Sequence, residues 1–261
     1  MQNLRVLLLV GLVCITSSAN ARVFSFKDSW VSAYFRGTGG VSKVADNAYE
    51  HTSGSDTQFE DDVDYNFSGE IGFAFLLGES LSFRAGVEGL QTKSIIATGT
   101  NGATTDYMDV DSKSVAFNPN VSLEFGFLNT GTSRAYVFAG AGYANVKVTN
   151  AYSLTTAGAA YYTAPATFKE TWAATVLNYN VGAGYEMFIL DNVTFSIDGG
   201  WRFFKASGFE YDSATTAIRG AGAGAVASGA TVTDNLGNKP ELDLGGAYVG
   251  IMFKFYIPPL N

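Results

Sequence analysis

Eight segments of alternating apolar and polar residues, three short turns between four long polar loops, and a last segment whose edge no later strand can cover predict an all-β fold. The expected form is an eight-stranded antiparallel transmembrane β-barrel, an up-and-down meander with short periplasmic turns and long extracellular loops. Strand side chains point alternately to opposite faces, so each segment has one greasy face and one that meets polar groups. A soluble sandwich also alternates, but its loop lengths need not sort between its two ends. Here every short turn falls at one end and every long loop at the other. Composition points the same way: 14% aromatic, only 15% charged, 30 glycines and 5 prolines suit strands and turns better than helices. No run of about 18 apolar residues offers a helical span.

The first segment, Trp30 to Val41, sets Val31, Ala33, Phe35 and Gly37 against Trp30, Ser32, Tyr34 and Arg36. An acidic loop, Ser42 to Val63, follows. The second segment sets Tyr65, Phe67, Gly69, Ile71, Phe73, Phe75 and Leu77 against Asn66, Ser68, Glu70, Gly72 and Ala74. Gly78-Glu79-Ser80 turns the chain into the third, with Leu81, Phe83, Ala85 and Val87 opposing Ser82, Arg84, Gly86 and Glu88; the pair reads as a hairpin. Thr92 to Lys113 reads as a second polar loop. The fourth segment sets Val115, Phe117, Pro119, Val121, Leu123, Phe125 and Phe127 against Ala116, Asn118, Asn120, Ser122, Glu124 and Gly126. Asn129 to Ser133 is a turn. The fifth segment, Arg134 to Val148, is so rich in Ala and Gly that neither face stands out. Thr149 to Thr171 reads as a third loop. The sixth sets Ala173, Leu177, Tyr179, Val181, Ala183 and Tyr185 against Ala174, Asn178, Asn180, Gly182 and Gly184. Leu190-Asp191-Asn192 leads to the seventh, with Val193, Phe195, Ile197, Trp201 and Phe203 against Thr194, Ser196, Asp198, Gly200 and Arg202. The longest loop, Ala206 to Glu241, carries an Ala/Gly/Ser tract, Arg219 to Thr231, expected to be flexible. Aromatic residues crowd both ends of the apolar faces, as with Phe67 and Phe75 or Phe117 and Phe125, where girdles meet lipid–water boundaries.

The closing segment, Leu242 to Phe255, places Ala247, Val249, Ile251, Phe253 and Phe255 on one face and Tyr248, Gly250, Met252 and Lys254 on the other. Its free edge is expected to pair with Trp30 to Val41. At the other terminus, Met1–Ala21 reads as a secretory signal: Arg5, an apolar run from Val6 to Ile15, and Ala19-Asn20-Ala21 as a small-x-small cleavage site. Residues 22–261 then form the barrel domain. The one cysteine, Cys14, lies in the removed segment and lacks a small residue before it. The mature chain would carry 15 basic residues (16 less Arg5) against 24 acidic ones, about −9, which argues against nucleic acid as a partner.

With these residues in place, the sequence resembles the small eight-stranded outer-membrane proteins of Gram-negative bacteria, the OmpA/OmpX-type barrel superfamily. The resemblance covers nearly the whole mature chain by pattern, and its most specific element is Tyr248-x-Gly250-x-x-Phe253-x-Phe255. That run is similar to the C-terminal signal such proteins present to the barrel-assembly machinery. A departure is the tail after the last aromatic pair, Tyr256 to Asn261, which is too short for the periplasmic domain of full OmpA-type proteins. The resemblance implies a monomer in the cell outer membrane, surrounded by outer-membrane lipid and lipopolysaccharide. It would meet an extracellular ligand of unknown kind through its loops.

The polar faces carry Arg36, Glu70, Arg84, Glu88, Glu124, Asp198, Arg202 and Lys254. An eight-stranded barrel is just wide enough for side chains to fill it, so these charges should pair inside. Pairing about the turn near Glu79 would set Glu70 opposite Glu88, with Arg36 or Arg84 expected between them. No catalytic, cofactor or metal site is indicated. His51, the only histidine, sits in a polar loop beside Thr52-Ser53; a lipid A-modifying enzyme is the distant alternative that would use it. Asp106-x-x-Asp109-x-Asp111 and Glu60-Asp61-Asp62 cluster carboxylates, but an EF-hand's glycine and distal glutamate are missing. Gly220 to Gly224 lacks the strand–helix context of a phosphate loop. The expected role is structural or surface-interacting, with a narrow channel for small solutes as the alternative.

Overall fold

The computed structural model describes residues 30–43, 57–59, 63–78, 80–100, 105–219, 222–233 and 237–257. Its elements are β1 (Val31–Lys43), β2 (Thr57–Phe59), β3 (Val63–Leu76), β4 (Leu81–Thr92), β5 (Ile95–Thr100), β6 (Asp106–Asn129) and β7 (Ser133–Leu154). After these come α1 (Thr156–Tyr162), β8 (Thr167–Leu190), β9 (Val193–Phe203), β10 (Lys205–Ser207) and β11 (Glu210–Tyr211). The last four are β12 (Thr215–Arg219), β13 (Gly222–Val226), β14 (Glu241–Asp243) and β15 (Gly246–Tyr256). Eight of the strands form a ring, β1-β3-β4-β6-β7-β8-β9-β15, in which every neighbour is antiparallel. β15 closes on β1, with Ala33 opposite Phe255, Phe35 opposite Phe253 and Gly39 opposite Val249, so neither has a free edge along this stretch.

Three turns at one end need few residues. In the 129–133 turn the Gly131 N–H donates to Asn129 Oδ1 at 3.0 Å and Gly131 takes φ +85°, a conformation open to glycine at little cost. The other end departs from the sequence expectation. β6, β7 and β8 run for 24, 22 and 24 residues, well beyond the ~9–11 a tilted strand needs to cross hydrocarbon. Thr92 to Lys113 is therefore mostly strand, and Thr149 to Thr171 is strand plus α1 rather than open loop. Ala206 to Glu241 also contains paired segments: β10 with β14, β11 with β8, and β12 with β13. The Ala/Gly/Ser tract expected to be flexible supplies β13.

The side-chain alternation of the long strands changes sign along their length. Near the short turns the outward residues are apolar, such as Phe117, Leu123 and Phe125 on β6, and the inward ones polar, such as Asn118 and Glu124. Farther out, β6 turns Asp109 and Asp111 outward and buries Met108 and Val110. On β7 the outward residue passes from Tyr143 to Asn145, while Val146 and Val148 are buried. On β8 it passes from Leu177 to Thr175, while Trp172 is buried. Inside the outer part lies an apolar core that the charged lower lumen lacks. Leu90, Ala116, Val146, Val148 and Trp172 of the wall meet Phe204, Ala206, Phe209, Leu242 and Leu244 of the segment folded across the mouth.

Candidate functional site

Strand alternation turns one residue in two of each barrel strand into the lumen, and there the charged side chains meet. The lowest cluster lies near the short turns. Glu124 faces three cations: Arg84 Nε at 3.1 Å, Arg134 Nη2 at 2.7 Å and Lys254 Nζ at 3.1 Å. Glu186 shares two of them, Arg134 at 2.8 Å and Lys254 at 3.1 Å. Hydroxyls complete the carboxylates: Ser82 donates to Glu124 at 2.7 Å, and Thr194 and Tyr256 donate to Glu186 at 2.6 and 2.9 Å. Above it, the Arg36 guanidinium bridges Asp198 at 2.5 Å and Glu70 at 3.2 Å, and Tyr34 also donates to Glu70. Higher still, Arg202 pairs with Glu88, which accepts from Asn118 Nδ2 at 2.9 Å. Asn118 in turn accepts from Asn178 at 2.9 Å.

All eight charges singled out in the sequence are buried in this lumen. Glu70 and Glu88 do lie opposite each other. Arg36 reaches Glu70, but Glu88 is held by Arg202 from across the barrel, and Arg84 pairs with Glu124 instead. Sequence reasoning passed over Arg134 and Glu186. Glu186 continues the inward series Asn178, Asn180, Gly182, Gly184, and carrying that register two residues farther would have found it. Arg134 stands on the Ala/Gly-rich strand whose faces look alike in sequence.

Aromatic rings fill the space between the charges. Tyr34, Tyr136, Phe138 and Tyr248 are buried in the lumen, and the guanidinium of Arg84 lies 5.3 Å from the Phe138 centroid while those of Arg36 and Arg202 lie 5.2 and 5.3 Å from Tyr248. Such cation–π contacts favour charges removed from water. Room for Tyr34 is made by Gly86, where a Cβ would strike the phenol oxygen. The lumen is thus packed with side chains, as the small circumference of eight strands dictates.

The outer surface is the complement of this interior. Phe35, Phe67, Ile71, Phe73, Phe125 and Ile251 are among the large apolar side chains it leaves exposed, and soluble monomers rarely present such a continuous belt to water. A ring of antiparallel strands closed on itself, apolar outside and polar within, satisfies the demands of hydrocarbon. The chain is an eight-stranded antiparallel β-barrel of the membrane-spanning form. No protein-family model and no curated protein sequence matches it. Among solved structures it is similar to a major outer membrane protein of Thermus thermophilus, with 12% identity and TM-score 0.46, over 86% of this chain and 99% of that one. It is also similar to OprG of Pseudomonas aeruginosa, with 11% identity and TM-score 0.42, over 92% and 100% of the two chains. For Ail, the attachment invasion locus protein of Yersinia pestis, the values are 13% identity, TM-score 0.36, 87% and 99%.

The residues of the last-strand motif divide between the faces. Tyr248 and Gly250 point inward, whereas Phe253 and Phe255 lie on the lipid side, and Phe253 packs on Phe195 with centroids 5.3 Å apart. His51, Glu60-Asp61-Asp62, Cys14 and the signal segment lie outside the described residues. Asp109 and Asp111 stand on the outer face of β6 rather than in a loop, and Asp109 accepts from Thr98 at 3.0 Å. Among the described residues no three acidic, histidine or cysteine side chains gather closely enough to hold a metal ion.

Proposed function

We propose that this barrel is a structural or surface-interacting component of the outer membrane that acts through its extracellular wall rather than its lumen. The observation that carries the reading is the wall itself. β6, β7 and β8 continue past the apolar belt, bury their own core around Trp172 and Phe209, and support α1 at the tip. A membrane anchor alone has no use for a second folded unit with a separate core. Loops set on a rigid scaffold are where recognition residues concentrate. The Tyr107 and Tyr161 rings pack there at a tilt of 36° with centroids 4.8 Å apart, and Tyr161 is exposed. The partners in this reading are outer-membrane lipid and lipopolysaccharide around the belt, the barrel-assembly machinery at β15, and an extracellular ligand at the wall. The protein works as a monomer, without nucleic acid and without a catalytic step.

The test replaces residues 155–166 with a tight turn, joining β7 directly to β8. Cells displaying the intact and shortened barrels are compared for attachment to host-cell and matrix surfaces, with equal barrel yield checked by heat-dependent gel migration. Attachment that falls for the shortened barrel supports the reading. Attachment that is the same for both barrels and for cells lacking either overturns it.

A further inference from the structure

Above Gly40 the ladder between β1 and β15 ends, although the two backbones stay in contact at Val41 and Gly246. The β1–β15 ladder stops at Gly40 opposite Tyr248, whereas β1 stays paired with β3 as far as Lys43 opposite Val63. Gly246 is the cause. It takes φ +147°, and a Cβ there would run into the Val41 carbonyl oxygen, so glycine alone lets the chain turn inward. Leu244 and Phe204, just beyond, enter the interior core instead of climbing the wall. The outer surface is left concave where a barrel is ordinarily convex. The hollow has a volume of about 860 Å³; Leu177, Trp201, Phe203 and Ala247 line it, with Lys205 and Asp243 also contributing.

We propose that this hollow seats an acyl chain of an outer-leaflet lipid. Its lining is continuous with the lipid-facing belt: Trp201 and Phe203 are about half exposed, on the outward faces of strands that lipid must cover. Its height is that of the belt's outer edge, because the outward residue on β8 becomes polar directly beyond Leu177, at Thr175. A lipid tail therefore runs down past the hollow, beginning at its rim. At that rim Lys205 and Glu241 form an ion pair at 2.6 Å with Asp243 beside it, giving a headgroup both donors and acceptors. Hydrocarbon that bridged the hollow would forfeit dispersion contacts along its whole length, and water that filled it would face apolar side chains. A chain that enters satisfies both.

The experiment uses the whole protein in lipid nanodiscs containing a phospholipid with a diazirine near the end of one acyl chain. Photolysis followed by peptide mapping is expected to label Trp201, Phe203 and Ala247 several-fold more than Phe117 and Tyr143, which are as exposed to lipid but stand on convex wall. Ala247→Trp fills the hollow and is expected to abolish most of that enrichment, while Ala139→Trp, on the lipid side of β7, leaves it unchanged. Even labelling of the belt in the unaltered protein overturns the proposal, and so does enrichment that survives Ala247→Trp. Displacement of the label by dilute free decanoic acid would assign the hollow to a free amphiphile and overturn its assignment to a bilayer lipid.

Discussion

Glu124 shows what a single lumen residue holds together. Three cations converge on its carboxylate, and Glu186 shares Arg134 and Lys254 with it. Removing one partner from a buried ionic cluster costs about 3–5 kcal/mol, because the charges left behind can no longer reach water. Glu124→Ala is therefore expected to lower the urea midpoint of the reconstituted barrel strongly. Lys147→Ala makes the contrast. Lys147 pairs with Asp212 at 2.9 Å, but both side chains are partly exposed to water, and such a pair contributes about 0–1 kcal/mol. Equal losses from the two substitutions would show that the lumen cluster does not stabilise the barrel. At this scale the sequence was legible wherever the two faces of a strand differ in character. Arg36, Glu70 and Arg84 each stand opposite a Phe or Ile face, so their inward direction follows from alternation alone. Arg134 does not, because Ala135, Ala139 and Ala141 alternate with Gly140, Gly142 and Ala144, and small residues on both faces erase the signal.

Single strands add what residues cannot, namely a direction and an end. β15 is bounded by Gly246, where the chain turns away from the wall, and by Tyr256 near the 190–193 turn, where the Tyr256 N–H donates to the Asn192 carbonyl at 2.8 Å. Phe253 and Phe255 lie on its lipid side, next to Phe35 and Phe195 on neighbouring strands. If β15 is read as an assembly signal, they face hydrocarbon where the last strand would be recognised and then sealed against β1. Phe253→Ser with Phe255→Ser is expected to reduce the amount of folded barrel in the outer membrane, while barrels that do assemble keep their extracellular binding. A normal yield from the double variant would sink the reading of β15 as an assembly signal. The same scale explains where the sequence misled. Asp109, Asp111 and Lys169 made the outer parts of β6 and β8 look like polar loops. They are strands whose outward neighbour has changed from lipid to water, so polar residues moved outside and Met108, Val110 and Trp172 moved in. A reader who expects one polarity along the whole strand stops at the reversal. One who allows the reversal can place the membrane boundary by it, near Val115, Tyr143 and Leu177.

In the whole molecule these elements make two obstructions in series along one axis. The lower is ionic and balanced: Arg36, Arg84, Arg134, Arg202 and Lys254 face Glu70, Glu88, Glu124, Glu186 and Asp198, all buried, with aromatic rings between them. The upper is apolar, where Phe204, Phe209, Leu242 and Leu244 close over the wall's inner face. An ion entering from outside would first shed its water against hydrocarbon and then displace a paired charge, and either step alone is prohibitive at low dielectric. Planar bilayers containing the intact protein are accordingly expected to show no steady openings. Replacing residues 205–243 by a short turn removes the upper obstruction only, so that variant is expected to stay silent too. Conductance should emerge only when Arg84→Ala and Glu124→Ala are added to it, and only in preparations whose heat-dependent migration shows a folded barrel. Steady ohmic current from the unaltered protein would contradict both obstructions and restore the narrow-channel alternative. Current from the 205–243 replacement alone would show that the ionic layer yields to passing ions and that the cap is the gate.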